Sequence, residues 1–291
     1  MSTRMRWVIG VLAFLFLGGA AFYGWQLRQR APRPLLIPEQ SAASASRPVV
    51  VVERPATPPP IQHPIEQAEA ATASAPAVAA APLPPLEASD SYVANALVEL
   101  LGRKDVQSFL ALDSVVRHVV AAVDNLPGKQ VAVRIWPVPP TPGRIVIESR
   151  DDGTYVSAGN ASRYEPFVHF VESVDTRRLV ALYVRLYPLF QQAYQDLGYP
   201  KGYFNDRLIA VIDHLLATPE PPRLPKVTLP EVKGPIQPSR PWVMYEFEDI
   251  SLDERSAGQK ILLRMGAAHT KRLKAKLAEV RRLVARSGVK P

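Results

Sequence analysis

Cysteine does not occur in the 291 residues, so no disulfide framework holds this chain together and no thiolate is available to a metal. Histidine is scarce as well. His63, His118, His169, His214 and His269 never stand four apart, the spacing that puts two imidazoles on one helical face. No phosphate-binding loop, no dinucleotide G-x-G-x-x-G and no G-x-S-x-G elbow occurs. Ser256-Ala257-Gly258-Gln259-Lys260 lacks the leading glycine of a phosphate loop, and Gly258 reads instead as a small residue that lets the helix with Ile261, Leu262 and Met265 pack closely. We therefore expect no metal and no cofactor.

Charge is also missing from the front of the chain. Between Trp7 and Trp25 no charged residue interrupts the run, and its 19 residues span about 28 Å as a helix, close to the hydrocarbon thickness of a bilayer. Trp7 lies at one end and Tyr23 with Trp25 at the other, where amphipathic rings settle at headgroup level. The expectation is a single transmembrane helix over 7–25 behind a cytoplasmic tail, 1–6. The alternative is a cleaved secretory signal, with an apolar core at 8–17 and Gly18-Gly19-Ala20 as cleavage site. Flanking arginines are nearly balanced, Arg4 and Arg6 against Arg28, Arg30 and Arg33. Long domains translocate largely regardless of charge, so the rest of the chain is placed in the periplasm, beyond the bacterial inner membrane.

Residues 26–85 read as a disordered linker, since its Pro, Ala and small polar residues bury too little apolar surface to offset chain entropy. Fully extended, a stretch of this kind reaches on the order of 170 Å. The apolar patch 48–52 could add a strand to a partner, although plain linker is the simpler reading, and His63 reads as solvated.

The remainder, 86–291, is long enough for one domain with a real core. Its fold class is α+β, mainly α. Ser89 or Asp90 is expected to cap a helix through Leu101, followed by helices over 105–112 and 113–124 with Val115, Val119 and Val123 on one stripe. Short strands are predicted at 130–136, 144–147 and 154–157, forming one small antiparallel sheet. Asp175 caps a long helix that ends at Gly198, with Leu179, Tyr183, Leu186, Phe190, Ala193 and Leu197 on its buried stripe and a kink at Pro188. Asn205 is expected to cap the next helix. Arg163 is expected to pair with Asp124 or Asp175.

Three groups of residues are candidates for function. Tyr183, Tyr187, Tyr194, Tyr199 and Tyr203 could line a groove for a glycan or peptide, against a simpler reading as core and core edge. Asp206, Asp213 and His214 are the weak catalytic candidates; the two aspartates, seven apart on one helix, sit roughly 10 Å from each other, and pairing with nearby arginines explains them more simply. In the C-terminal helix, from about 270 to 286, Lys271, Arg272, Lys274, Lys276, Arg281, Arg282 and Arg286 are opposed only by Glu279, beside an apolar stripe of Leu273, Leu277, Val280 and Val284. Such a helix can meet anionic lipid or an acidic partner, or be an ordinary solvated face. No aromatics interleave with its charges, which disfavours nucleic acid.

Asp124-Asn125-Leu126-Pro127, Trp136-Pro137, Asn160 with Arg163-Tyr164, the run from Leu186 to Tyr194, Leu197-Gly198-Tyr199-Pro200, Phe204-Asn205-Asp206-Arg207, the run from Ile212 to Leu216 and Ser256 to Lys260 together resemble a proteobacterial family, the domain of unknown function numbered 3014. The resemblance extends from Leu83 nearly to the end. It implies a Gram-negative source and a membrane-anchored envelope protein, and brings no activity, cofactor or substrate. The function expected is non-enzymatic: an envelope scaffold or assembly factor that binds a protein or cell-wall partner. The alternatives are a cell-wall or glycan hydrolase and a membrane-tethered chaperone for a secreted client.

Overall fold

The computed structural model describes residues 60–65, 82–221, 223–231 and 238–286, all within the second of two units, Ala56–Pro291. The expected tail, the apolar segment 7–25, the patch 48–52 and most of the linker lie outside the described residues.

The expected fold class needs correction. A mainly helical domain with small antiparallel sheets is present, but among the described residues no helix is long and apolar enough to cross a membrane. The single sheet is also wrong. Two separate two-stranded sheets form: β1 (Ile147–Arg150) with β2 (Gly153–Val156), and β3 (Val227–Thr228) with β4 (Glu246–Phe247). In the first, Arg150 faces Gly153, so Asp151 and Asp152 make a two-residue turn, and Gly153 takes φ 145°, which suits glycine. A bridge between Tyr155 and Lys226 joins the two sheets side by side. The segment predicted as a strand at 130–136 is instead a loop with a 3-10 turn at Val133–Ile135, and Val133 is 70% exposed. Pro137, Pro139 and Pro140 come directly after it and remove the donors a ladder needs.

Nine α-helices are assigned among the described residues: α1 (Asp90–Leu101), α2 (Arg103–Phe109), α3 (Val115–Asn125), α4 (Glu165–Ser173), α5 (Thr176–Asp196), α6 (Phe204–Leu216), α7 (Ile250–Asp253), α8 (Ala257–Met265) and α9 (Ala267–Arg286). Asp175 caps α5 as expected, its Oδ1 accepting from the Arg178 amide at 3.0 Å. The helix then continues through Pro188, which is exposed. Burial is broader than the anticipated stripe: Val180, Leu186, Tyr187, Leu189, Ala193 and Tyr194 are covered, whereas Leu197 is 42% exposed. On α3 the stripe is likewise rotated, onto Val115, Val116 and Val120.

Helix α6 is the hub of the packing. Its Phe204 belongs to the core built with α1, α3 and α5; Val211 and Leu215 belong to a second core with α4, α8 and α9; Ile209 joins a third with α5 and α9. A helix locked on several sides holds its polar residues in fixed directions. The close approach read from Gly258 is present. A Cβ there would lie 2.6 Å from Leu215 Cδ2 and 3.2 Å from the Leu126 carbonyl oxygen, which the Gly258 amide meets at 2.9 Å.

Candidate functional site

The first turn of α6 carries two polar side chains, Asn205 and Asp206, that bond the main chain of residues 62–63. Asn205 is fully buried and lies inside the helix, behind the N-cap position Tyr203, so it does not cap it. That task falls to Gln191 of α5, whose Oε1 accepts from the Phe204 amide at 2.9 Å and from the Tyr187 hydroxyl at 3.0 Å. Asn205 instead accepts from the Tyr183 hydroxyl at 3.1 Å and donates from Nδ2 to the carbonyl of His63 at 2.8 Å. Beside it the Asp206 carboxylate accepts from two successive main-chain amides, Gln62 at 3.0 Å and His63 at 2.7 Å. The α6 N-terminus favours a carboxylate at this position. A piece of the expected linker, 60–65, is thus fastened to the domain, and half-buried Ile65 packs on the first core. His63 is correspondingly half-buried rather than solvated.

An aromatic bed lies under this clasp. Tyr183 meets Tyr187 edge-on at 5.9 Å, Phe190 stacks on Phe204 at 5.7 Å, and Tyr194 stacks on Tyr199 at 4.6 Å. Burial pushes the Tyr187 phenol up to about 12 and that of Tyr183 higher still. Tyr187 and Tyr194 are core residues, Tyr203 is half-buried, and Tyr199 is 41% exposed with its hydroxyl donating to Asp124 Oδ2 at 3.1 Å. Asp124 also receives Arg207, at 2.8 Å on Oδ1. Arg163, expected to pair with Asp124 or Asp175, instead donates to the Asn160 side chain at 3.0 Å and to the carbonyls of Pro142 and Gly143.

The three residues nominated for chemistry are held apart by different partners. Asp206 grips main chain. Asp213 forms a two-pronged ion pair with Arg281 of α9, which holds its carboxyl below the usual range. His214 Nε2 lies 2.8 Å from Ser256 Oγ, and that hydroxyl in turn caps α8 through the Gln259 amide. Among the described residues no group of three His, Asp or Glu side chains is placed to hold a metal ion.

The cations of α9 are turned inward more than its charge implies. Arg272 spans Glu165 and Glu172; Lys274 meets Glu220 and the Thr218 carbonyl; Lys276 reaches the carbonyls of Glu172 and Val174 at the end of α4, where a helix presents negative charge. With Arg281 on Asp213, the exposed cations of α9 among the described residues are Lys271 and Arg282.

With this geometry established, comparison with known families matches residues 115–281 to the model described as "Protein of unknown function (DUF3014)". The chain belongs to this family. The DUF3014 match covers the clasp residues Asn205 and Asp206, the Asp213–Arg281 pair and most of α9, and is narrower than the resemblance read from Leu83 onward. It leaves out the docked segment 60–65 and carries no statement of membrane anchoring. No curated protein and no solved structure matches the chain.

Sequence reasoning missed Asn205 as a partner of the linker, Gln191 as the cap of α6, and Asn160. The last is fully buried; its Oδ1 accepts from the Val146 amide and Arg163, both at 3.0 Å, and its Nδ2 donates to the Arg264 carbonyl at 2.8 Å. Ile61 and Ile65 do not single out the docked segment, since the same stretch also holds Leu35-Leu36-Ile37 and Val49 to Val52.

Proposed function

We propose that this DUF3014 protein is a non-enzymatic binding protein of the cell envelope, a scaffold or assembly factor whose folded domain works in the periplasm, beside the inner membrane, and holds a protein partner. The observation that carries the reading is what the nominated side chains do: Asp206 holds main chain, Asp213 holds Arg281 and His214 meets Ser256, so each is committed to binding within the fold. The envelope location is supported by the sequence, where an apolar run precedes a Pro/Ala-rich stretch.

Two measurements test this. A C-terminal reporter active only outside the cytoplasm should give signal and a cytoplasm-active one should not; the reverse would overturn the location. A photo-cross-linker at exposed Ala210, one turn from Asp206, should capture an envelope protein in cells, and Asp213→Ala and His214→Ala should preserve that adduct and the protein's cellular effect. Loss of the effect with the adduct intact would point to catalysis and overturn the reading.

A further inference from the structure

The segment 60–65 is held by its main chain. Two consecutive amides enter one carboxylate and the carbonyl between His63 and Pro64 takes the Asn205 amide, so none of these three bonds reads a side chain. A site of this kind recognises extended polypeptide. Sequence preference enters beside it: Pro64 biases His63 toward extended backbone, and Ile65 reaches the apolar surface of the first core. The Tyr183 hydroxyl of α5 donates to the Asn205 oxygen, a bond that does not involve the segment and that helps aim the Nδ2 donor. Without the segment the buried Asn205 Nδ2 would lose its protein acceptor, and the Asp206 carboxylate would lose two donors.

We propose that Asn205 and Asp206 form a peptide-binding site which the chain fills in cis with residues 61–65, and that the partner docks there with an extended segment of its own. The ligand class is a peptide offering two successive main-chain N–H groups, then proline and an apolar residue. This names the ligand of the binding function proposed above and rests on that reading. Because the resident segment is tethered to the site, its effective concentration is on the order of millimolar, so a partner must either bind tightly or present its segment at high local density. The resident segment therefore acts as a threshold against weak ligands.

A fluorescein-labelled peptide of residues 58–67 is titrated against the full chain in mild detergent. Replacing 61–65 by Gly-Ser-Gly-Ser-Gly should produce saturable binding at least about tenfold tighter than to the unmodified chain. Adding Asp206→Ala to that variant should abolish it. Equal binding by all three, or none by any, would overturn the proposal. Should the replacement disturb folding, hydrogen exchange on the intact chain supplies an independent test: the Gln62 and His63 amides should exchange at least about tenfold more slowly than in Asp206→Ala, and equal rates would overturn it. In a mixture of isotopically heavy and light chains, a cross-link joining the segment of one copy to α6 of another would refute cis occupancy. If the peptide fails while the Ala210 adduct persists, this site assignment falls and the broader binding reading stands.

Discussion

Replacing Asn160 by alanine removes three hydrogen bonds of 2.8 to 3.0 Å from a side chain with no exposed surface. At about 1 kcal/mol net for each bond, the loss comes to about 3 kcal/mol, a large share of the roughly 5–15 kcal/mol that stabilises a domain. For a domain of about 200 residues this lowers the melting temperature by about 6–12 °C. The structural reason is that Asn160 joins three otherwise separate parts: the Val146 amide leading into β1, the Arg163 side chain that pins 142–143, and the Arg264 carbonyl on α8. Asn160→Asp is the internal control. It retains acceptors for Val146 and Arg163 but sets an oxygen against the Arg264 carbonyl inside the fold, so its melting temperature should also fall clearly below the parent's. Thermal unfolding followed by circular dichroism on the full chain measures both. A shift under about 2 °C for Asn160→Ala would mean that water replaces the lost bonds at little cost, refuting the argument that this amide ties the hairpin to α8.

Gly258→Leu should destabilise by at least about 1–3 kcal/mol, since the new side chain meets Leu215 and the Leu126 backbone at once; an unchanged denaturant midpoint would contradict the packing. Asp213→Asn removes a surface ion pair and should cost under about 1 kcal/mol at neutral pH. Because Arg281 depresses the Asp213 carboxyl, that stability is fully present above the ordinary carboxylate pKa of about 3.9 and is lost as pH falls through the lower folded value, so the difference between parent and variant should vanish in acid. A gap that persists in strong acid would assign it to packing instead. Arg272→Glu should lower the melting temperature more than Arg282→Glu, because Arg272 bridges Glu165 and Glu172 while Arg282 is exposed; equal effects would argue against the bridge. If anionic lipid meets α9, Lys271→Glu with Arg282→Glu should reduce co-sedimentation with phosphatidylglycerol vesicles, and unchanged sedimentation would dismiss that contact.

What the sequence determined by itself was local. Asp175 and Gly198 bracket α5 because a cap acts within one turn of its own helix, and the Asp151–Asp152–Gly153 turn is a short-range geometric demand. Gly258 was legible because a close approach excludes any Cβ, whatever the partner. Tertiary structure decided everything that depends on which surfaces meet. The strand expected at 130–136 has the right alternation, yet period alone supplies no neighbouring edge, and the prolines behind it leave none to build. The charges of α9 look like a free basic face in the sequence, whereas their partners Glu165, Glu172, Glu220 and Asp213 come from distant segments. The clasp is the clearest case: the Asp206 carboxylate meets the His63 amide across 143 positions, a pairing that no periodicity encodes because main-chain hydrogen bonds carry no residue signature.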